Sequence, residues 1–222
     1  LLHVMRAQAG DRVLLFDGRG GEFLAEVAAL GRSQVELRIL ERRTIDRELP
    51  LRAVLGVALP KGDRQAWLVE KAVELGVAEL VPLVSERSVA QPLDKALERL
   101  RRAVVEASKQ CGRNRLMEIS AASGWAEFVG SPPQGTICWL ADPQASLSAA
   151  EALEPLLAGS LPSEWRVAIG PEGGLTSAEC ELAAAAGWQR VSLGPRTLRV
   201  ETAALALAAL MAVASDAWSR GK

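Results

Sequence analysis

The sequence predicts an α/β protein preceded by a small β-rich module. Two observations predict this class. Short β-like segments around a glycine-rich turn fill residues 11–51, whereas after Pro60 buried-type strands alternate with amphipathic helices. A chain of 222 residues is long enough for one such domain and a small accessory module. We therefore expect a β-rich domain at residues 1–52 and an α/β domain at residues 53–222.

The first region has the pattern of a small antiparallel barrel or sheet. A strand is predicted at residues 13–16, and the turn sequence Asp-Gly-Arg-Gly-Gly follows at residues 17–21. Partial alternation of apolar and polar residues predicts two more strands at residues 22–28 and 34–40. Pro50 marks the boundary, because the next segment is a continuous apolar run typical of a buried strand.

The second region alternates between helices and strands. Asp63 can cap a helix that Gly76 ends, and Thr176 with Glu179 has the pattern of a capping box. The last helix is apolar on nearly every face, which predicts burial on all sides. The predicted strands lie at residues 54–59, 77–84, 116–119, 136–141, 166–169 and 189–193, and the remaining helices at residues 93–110, 176–186 and 203–218, with a variable helix and loop at residues 142–164.

The composition excludes several kinds of chemistry. His3 is the only histidine, so histidine triads and histidine-rich metal sites are excluded from the main body of the chain. The three cysteines lie far apart without a CxxC spacing, so we expect no disulfide framework, no zinc site and no other metal. The formal net charge of −1 argues against binding nucleic acid through bulk charge, although local clusters can still hold phosphates.

We expect a soluble, cytoplasmic protein. We expect that no apolar run reaches the length needed to span a bilayer, and the start of the chain lacks the pattern of a signal peptide. The chain opens with Leu1 rather than methionine, and we expect further residues before it.

The strongest local motif is a strand that runs directly into glycines and then into a capped helix. Residues 167–169 are apolar, and Gly170-Pro171-Glu172-Gly173-Gly174 follows. Glycines allow positive φ and close backbone approach, so amide groups can point at a ligand beyond the carboxyl end of a sheet. The motif lacks the dinucleotide and P-loop fingerprints. It is therefore either a ligand-binding loop or a tight strand-to-helix turn.

A second glycine-containing strand end follows at residues 193–203. Two such loops side by side in a parallel sheet would suit an adenosine-sized ligand held by main-chain contacts. The charged residues here have two interpretations. Arg196, Arg199 and Glu201 belong either to that site or to a solvated loop with a carboxylate at the start of a helix.

Four segments closely resemble the bacterial ribosomal RNA small subunit methyltransferase E family. They are LVEKAVELGVAELVPLVSERS at residues 68–88, SKQCGR at 108–113, IGPEGGLTSAE at 169–179 and LGPRTLRVETA at 193–203. The opening residues also look like the PUA-like barrel of that family, entered partway through. The resemblance implies a SPOUT-type parallel sheet with a C-terminal trefoil knot, an N-terminally incomplete PUA-like β-barrel that serves RNA binding, and a homodimer.

The resemblance also implies a reaction and a cofactor pocket. Members of this family use S-adenosylmethionine to methylate N3 of a uridine in 16S ribosomal RNA of the small subunit. Carried over by motif, the expected cofactor-binding residues are Leu140, Ile169, Gly170, Pro171, Gly173, Gly174, Leu193, Gly194, Leu198 and Thr202.

The reaction needs a group that removes the N3 proton or stabilises the uridine anion. Arg199 is our first candidate for stabilising the anion, and Glu172 and Glu201 are candidates for positioning or proton removal. Two alternatives remain at this point: a methyltransferase of the same class that acts on another RNA position, and a non-catalytic RNA-binding module. The candidate RNA-binding residues are Arg6, Arg12, Arg87, Gln110 and Arg113.

Overall fold

The computed structural model describes residues 7–32, 34–88, 94–130, 132–160 and 162–220, and the chain divides into two compact units. The first unit runs to Glu48 and also takes in Ser108–Leu116. The second comprises Leu49–Ala107 and the chain from Met117 onward. The sequence had assigned residues 108–116 to the α/β domain, so this return of the chain to the first unit was not foreseen.

The first unit contains a three-stranded antiparallel sheet. Its strands are β1 (Arg12–Phe16), β2 (Glu22–Leu30) and β3 (Val35–Arg43), in that spatial order. The turn between β1 and β2 is closed by Asp17 Oδ1, which accepts hydrogen bonds from the backbone N–H groups of Arg19 at 2.7 Å and Gly21 at 2.9 Å. These bonds lower the pKa of the Asp17 carboxyl, because they favour its ionised form.

The SKQCGR motif holds its own segment against the segment around Glu48 within this unit. Arg113 is 3% exposed, and its Nε donates to Glu48 Oε1 at 2.8 Å. The neighbouring Asn114 side chain donates to the carbonyl of Ile45 at 2.7 Å. Removing one partner of a buried pair of this kind is costly, because the other charge is left without compensation. The motif therefore has a structural role that the sequence did not reveal.

The second unit is built on a parallel sheet in the order β10-β8-β9-β4-β5-β6, with β7 paired to β5. The strands are β4 (Arg52–Val57), β5 (Glu79–Val84), β6 (Glu118–Ile119), β7 (Ser123–Gly124), β8 (Thr136–Ala141), β9 (Glu164–Ile169) and β10 (Gln189–Val191). The helices are α1 (Arg64–Glu74), α2 (Asp94–Cys111), α3 (Trp125–Gly130), α4 (Ala149–Leu157), α5 (Ser177–Ala185) and α6 (Val200–Arg220). Because β8 lies between β9 and β10, those two strands are not neighbours.

Most of the predicted elements are present, and two short ones were missed. The sequence does not predict β7 or α3. A helix of six residues spans less than two turns, so it cannot display a helical period. Burial explains why α3 nevertheless forms, since Trp125, Phe128 and Val129 all lie in the core.

The core of the second unit is packed between the sheet and its helices. Strand β4 is buried along its length after Arg52. Trp139 and Trp165 meet edge to face with ring centroids 4.6 Å apart, and Trp165 lies 6.2 Å from Trp218 of α6. Helix α6 packs against α1, α4, β4 and β9. These contacts account for the buried residues of α6, but Thr202 and Val213 are exposed, so the prediction that this helix is buried on all sides was wrong.

Helix α6 corrects one expectation from the sequence. From Val200 to Trp218 it is long and apolar enough, by length and composition alone, to cross a membrane. Half of that stretch is buried inside the fold, and the core helix of a soluble protein meets the same criterion. The described residues contain no second helix of this kind.

Replacing Gly56 by alanine should destabilise the sheet. A Cβ at this position would lie 2.4 Å from the ring of Phe128, so the core would have to shift. Overpacking of this type costs about 1–3 kcal/mol. Urea unfolding should therefore give a lower midpoint for Gly56→Ala. Gly130→Ala is the matched control, because nothing lies within 4 Å of its added Cβ; equal midpoints for the two variants would contradict this account of the packing.

Candidate functional site

A cavity of about 890 Å³ opens at the carboxyl ends of three parallel strands. The last residues of β8, β9 and β10, which are Ala141, Ile169 and Val191, all lie in its wall. The loops that follow these strands form much of the remaining lining, together with Arg87 and residues of α5 and α6. This volume falls in the range of small-molecule sites, and the carboxyl edge of a parallel sheet is where ligands bind in open α/β folds.

The cavity brings together most of the predicted cofactor-binding residues. Leu140 and Thr202 are the exceptions. Leu140 is fully buried within β8, whereas its neighbour Ala141 reaches the wall; Thr202 is exposed and lies outside the lining. The predicted residues that do line the cavity are Ile169, Gly170, Pro171, Gly173, Gly174, Leu193, Gly194 and Leu198.

The Gly170–Gly174 loop has a conformation that requires glycine. A Cβ on Gly170 would lie 2.8 Å from Leu175 Cγ, and Gly174 has φ +71°. The N–H of Gly174 donates to the carbonyl of Pro171 at 2.9 Å and closes a turn. Both interpretations of this loop made from the sequence therefore apply, since it is a tight turn that also forms a cavity wall.

The loop is held in place by residues on both sides. Thr176 and Glu179 form the predicted capping box at the start of α5. The second Glu179 oxygen, Oε1, accepts from the N–H of Glu86 at 2.9 Å, and Arg87 Nη1 donates to the carbonyl of Gly173 at 3.2 Å. The segment after β5 thus supports the loop after β9. The sequence pointed to Arg87 but not to the part played by Glu179.

The second loop places two arginines on the cavity wall. Gly194 has φ +98°, and Leu193 and Leu198 supply apolar surface. Arg196 and Arg199 line the cavity, are exposed, and form no ion pair within the described part of the chain. Unpaired guanidinium groups at a cavity can bind an anion or stabilise developing negative charge.

The two predicted carboxylates occupy different environments. Glu172 lies in the cavity wall with its side chain 44% exposed, whereas Glu201 is 4% exposed and lies outside the lining. The carboxylates of Glu172 and Glu201 both lie close to Arg64, which was not among the site residues predicted from the sequence. Arg64 Nη2 lies 3.6 Å from Glu172 Oε1, and Arg64 Nη1 lies 3.4 Å from Glu201 Oε1. No sequence signal distinguished Arg64 from other charged residues at the start of a helix.

Two further residues of the cavity wall carry polar side chains. They are Asp142, whose carboxylate is paired with an arginine, and Cys180, which carries a thiol. Asp142 accepts from Arg190 Nε at 2.6 Å, so both charges are compensated within the protein. Burial raises the pKa of Cys180, which also lines the cavity, and the same effect raises the pKa of Cys138 to about 11. Neither thiol is a thiolate nucleophile at neutral pH. Among the described residues, no cluster of three or more His, Cys, Asp or Glu side chains could hold a metal ion.

The candidate RNA-binding residues do not share one environment. Arg12 in β1, Arg87 and Gln110 are exposed. Arg113 is buried against Glu48 as described above, so its selection as an RNA contact was wrong: a guanidinium in that position is not available to a phosphate or a base. Arg6 lies outside the described residues.

Comparison with known proteins identifies relatives over most of this chain. The RNA methyltransferase domain family matches residues 47–212, and the RNA methyltransferase PUA domain family matches residues 1–40. Ribosomal RNA small subunit methyltransferase E of Synechocystis is 36% identical over 91% of this chain and 66% of its own length. The Bacillus subtilis protein of that name is 31% identical over 92% of this chain and 82% of its own length.

A solved structure gives the same result. Ribosomal RNA small subunit methyltransferase E from Neisseria gonorrhoeae, bound to S-adenosylmethionine, superimposes with a TM-score of 0.86 and 32% identity. The match covers 96% of this chain and 86% of that chain.

Removing the cap of α5 should loosen the glycine loop. Thr176→Ala removes the side-chain oxygen that accepts from the N–H of Glu179, and the loss of such a cap costs about 1 kcal/mol. Amides of residues 170–176 should then exchange faster with deuterium. Ser148→Ala removes the equivalent cap of α4 and serves as the control. If the control accelerated exchange in the loop as much as Thr176→Ala, the cap would have no specific role there.

Proposed function

The chain belongs to the ribosomal RNA small subunit methyltransferase E family, and from this premise we propose that it transfers a methyl group from S-adenosylmethionine to N3 of a uridine in 16S ribosomal RNA. The observation that carries the proposal is the cavity at the carboxyl ends of β8, β9 and β10. Its two glycine-containing walls coincide with the motifs on which the family resemblance rests.

The residues of the cavity fit this cofactor. Gly170, Gly173, Gly174 and Gly194 leave backbone close to the cavity without side chains in between. Leu193 and Leu198 supply the apolar surface that an adenine ring needs, and the volume of about 890 Å³ is large enough for an adenosine-sized ligand. We assign these residues, with Ile169 and Pro171, to the cofactor site.

The bound cofactor supplies a methyl group on a positively charged sulfur. The protein then has to orient the uracil and lower the cost of losing its N3 proton. Arg199 suits the second task, because it lines the cavity, has no carboxylate partner among the described residues and can stabilise the uridine anion. Glu172, exposed in the wall, is the better placed carboxylate for contact with a ligand, and buried Glu201 suits a positioning role.

RNA binding is assigned to exposed residues in each unit. Arg12 in the first unit can contact phosphate, in keeping with the accessory role expected for a PUA-like domain. In the second unit, Arg87 lines the cavity, whereas Gln110, near the end of α2, is an exposed residue of the first unit. The intact small ribosomal subunit is the expected substrate context.

The proposal includes a trefoil knot and a homodimer, as the resemblance implies. Strand order supports the knot. The chain crosses β8 to pass from β9 to β10 and then returns to α6, which packs against β4 and β9. The homodimer rests on the family resemblance.

The direct test uses purified protein, S-adenosylmethionine and small ribosomal subunits that lack the modification. Calorimetry should show saturable cofactor binding, and mass spectrometry of digested RNA should locate one methylated uridine with the methyl group on N3. Cofactor binding with methylation at another position would indicate a related methyltransferase. RNA binding without cofactor binding would instead support a non-catalytic module, and the proposal would be abandoned.

Arg199→Met should slow methyl transfer far more than it weakens cofactor binding. Loss of one group that stabilises developing negative charge typically lowers kcat by about 100-fold or more. The dissociation constant for S-adenosylmethionine should change little, because the proposed partner of Arg199 is the uridine. Arg199→Lys keeps the positive charge and should recover part of the rate. Equal rates for the Met and Lys variants would remove charge stabilisation from the role of this residue.

A further inference from the structure

Arg64 lies where its own helix disfavours a cation. It is the first residue of α1, and the first turn of that helix contains no acidic residue. The N-terminal end of a helix carries partial positive charge, so an arginine there is unfavourable in isolation. Both glutamates that contact this guanidinium lie outside α1.

One compensating partner is buried. Glu201 lies in the first turn of α6, is 4% exposed, and has Arg64 as its ion-pair partner within the described part of the chain. Its other oxygen, Oε2, is buried without a hydrogen-bond partner among the described residues. A buried carboxylate needs compensation, and here the Arg64 guanidinium provides it.

The second partner is on the cavity wall. Glu172 belongs to the Gly170–Gly174 loop, while Arg199, Val200 and Ala203 at the start of α6 line the same cavity. Arg64 itself does not line the cavity. Its guanidinium nevertheless reaches one carboxylate from each of the two elements, at 3.6 Å for Glu172 and 3.4 Å for Glu201.

We propose that Arg64 is a positioning residue for methyl transfer, which holds the Gly170–Gly174 loop at a set distance from the start of α6. This inference rests on the proposed function. A loop rich in glycine does not fix its own conformation, and a shared cation restrains it from outside. Because one arginine faces two carboxylates, the cluster also keeps a surplus of negative charge, which favours a positively charged cofactor nearby.

The test compares Arg64→Met with the wild-type protein. We expect the dissociation constant for S-adenosylmethionine to rise roughly tenfold. This exceeds the few-fold loss of affinity expected when an exposed ion pair is removed, and it is smaller than the loss expected for a buried pair. The transfer rate at saturating cofactor should fall several-fold, because the loop no longer has one fixed position. Arg64→Lys retains a cation and should stay within about threefold of wild type in both measurements.

A double-mutant cycle identifies the partner through which Arg64 acts. Glu172→Gln should weaken cofactor binding, and adding Arg64→Met to it should weaken binding by less than about twofold more, since coupled residues are not additive. If the double variant instead loses affinity by the full product of the two single-variant factors, Arg64 and Glu172 are not coupled. The inference is then overturned. Wild-type affinity and rate in Arg64→Met would overturn it equally.

Arg52 offers a matched control for stability. It has similar exposure and also contacts two glutamates, Glu79 at 2.5 Å and Glu164 at 3.3 Å, but it lies at the amino end of β4. Arg52→Met should lower the urea midpoint while leaving cofactor affinity and rate unchanged. If Arg64→Met fails to fold, Arg64→Gln carries the same expectation. Absence of cofactor binding by the wild-type protein would defeat the proposed function, whereas unchanged binding by the variants would defeat this inference alone.

Discussion

The cavity exists because β8 lies between β9 and β10. The loop after β9 and the loop after β10 start from strands that are not neighbours, so the end of β8 lies between them. The cavity wall then contains the last residue of each of these strands, namely Ala141, Ile169 and Val191. If β9 and β10 were paired directly, the two loops would meet without that separation. Strand order therefore determines the width of the site.

The glycine-rich loop at the carboxyl edge of the sheet must also be held in one conformation. Glycines give a ligand access to the main chain, but they also raise the conformational entropy that folding must overcome. Contacts from outside the loop offset that cost. Glu179 ties the loop to the N–H of Glu86, Arg87 donates to the carbonyl of Gly173, and Arg64 contacts Glu172. The loop is thus held from three directions by side chains of neighbouring elements.

The sequence predicts features that depend on local chemistry. The capping box of Thr176 and Glu179, the strand at residues 136–141 and the glycine loop are all encoded within a few residues. Strand order depends on pairings between strands that are distant in the chain, and the contact of Arg64 with Glu201 and the burial of Arg113 against Glu48 join positions 137 and 65 residues apart. Periodicity and capping contain no information about such pairs. Arg113 was misassigned because a buried ion pair and a phosphate contact both call for an arginine.

The charged side chains at the cavity, rather than the net charge of the chain, determine how this protein can interact with an anion. The chain has a formal net charge of −1, so it has no overall attraction for RNA. Within the cavity, Arg190 is neutralised by Asp142, whereas Arg196 and Arg199 have no ion-pair partner in the described part of the chain. The loop after β10 thus carries two arginines without an ion-pair partner among the described residues, whereas Glu172 on the loop after β9 lies beside Arg64. With a net charge close to zero, binding of an anion depends on such local groups rather than on the bulk charge of the chain.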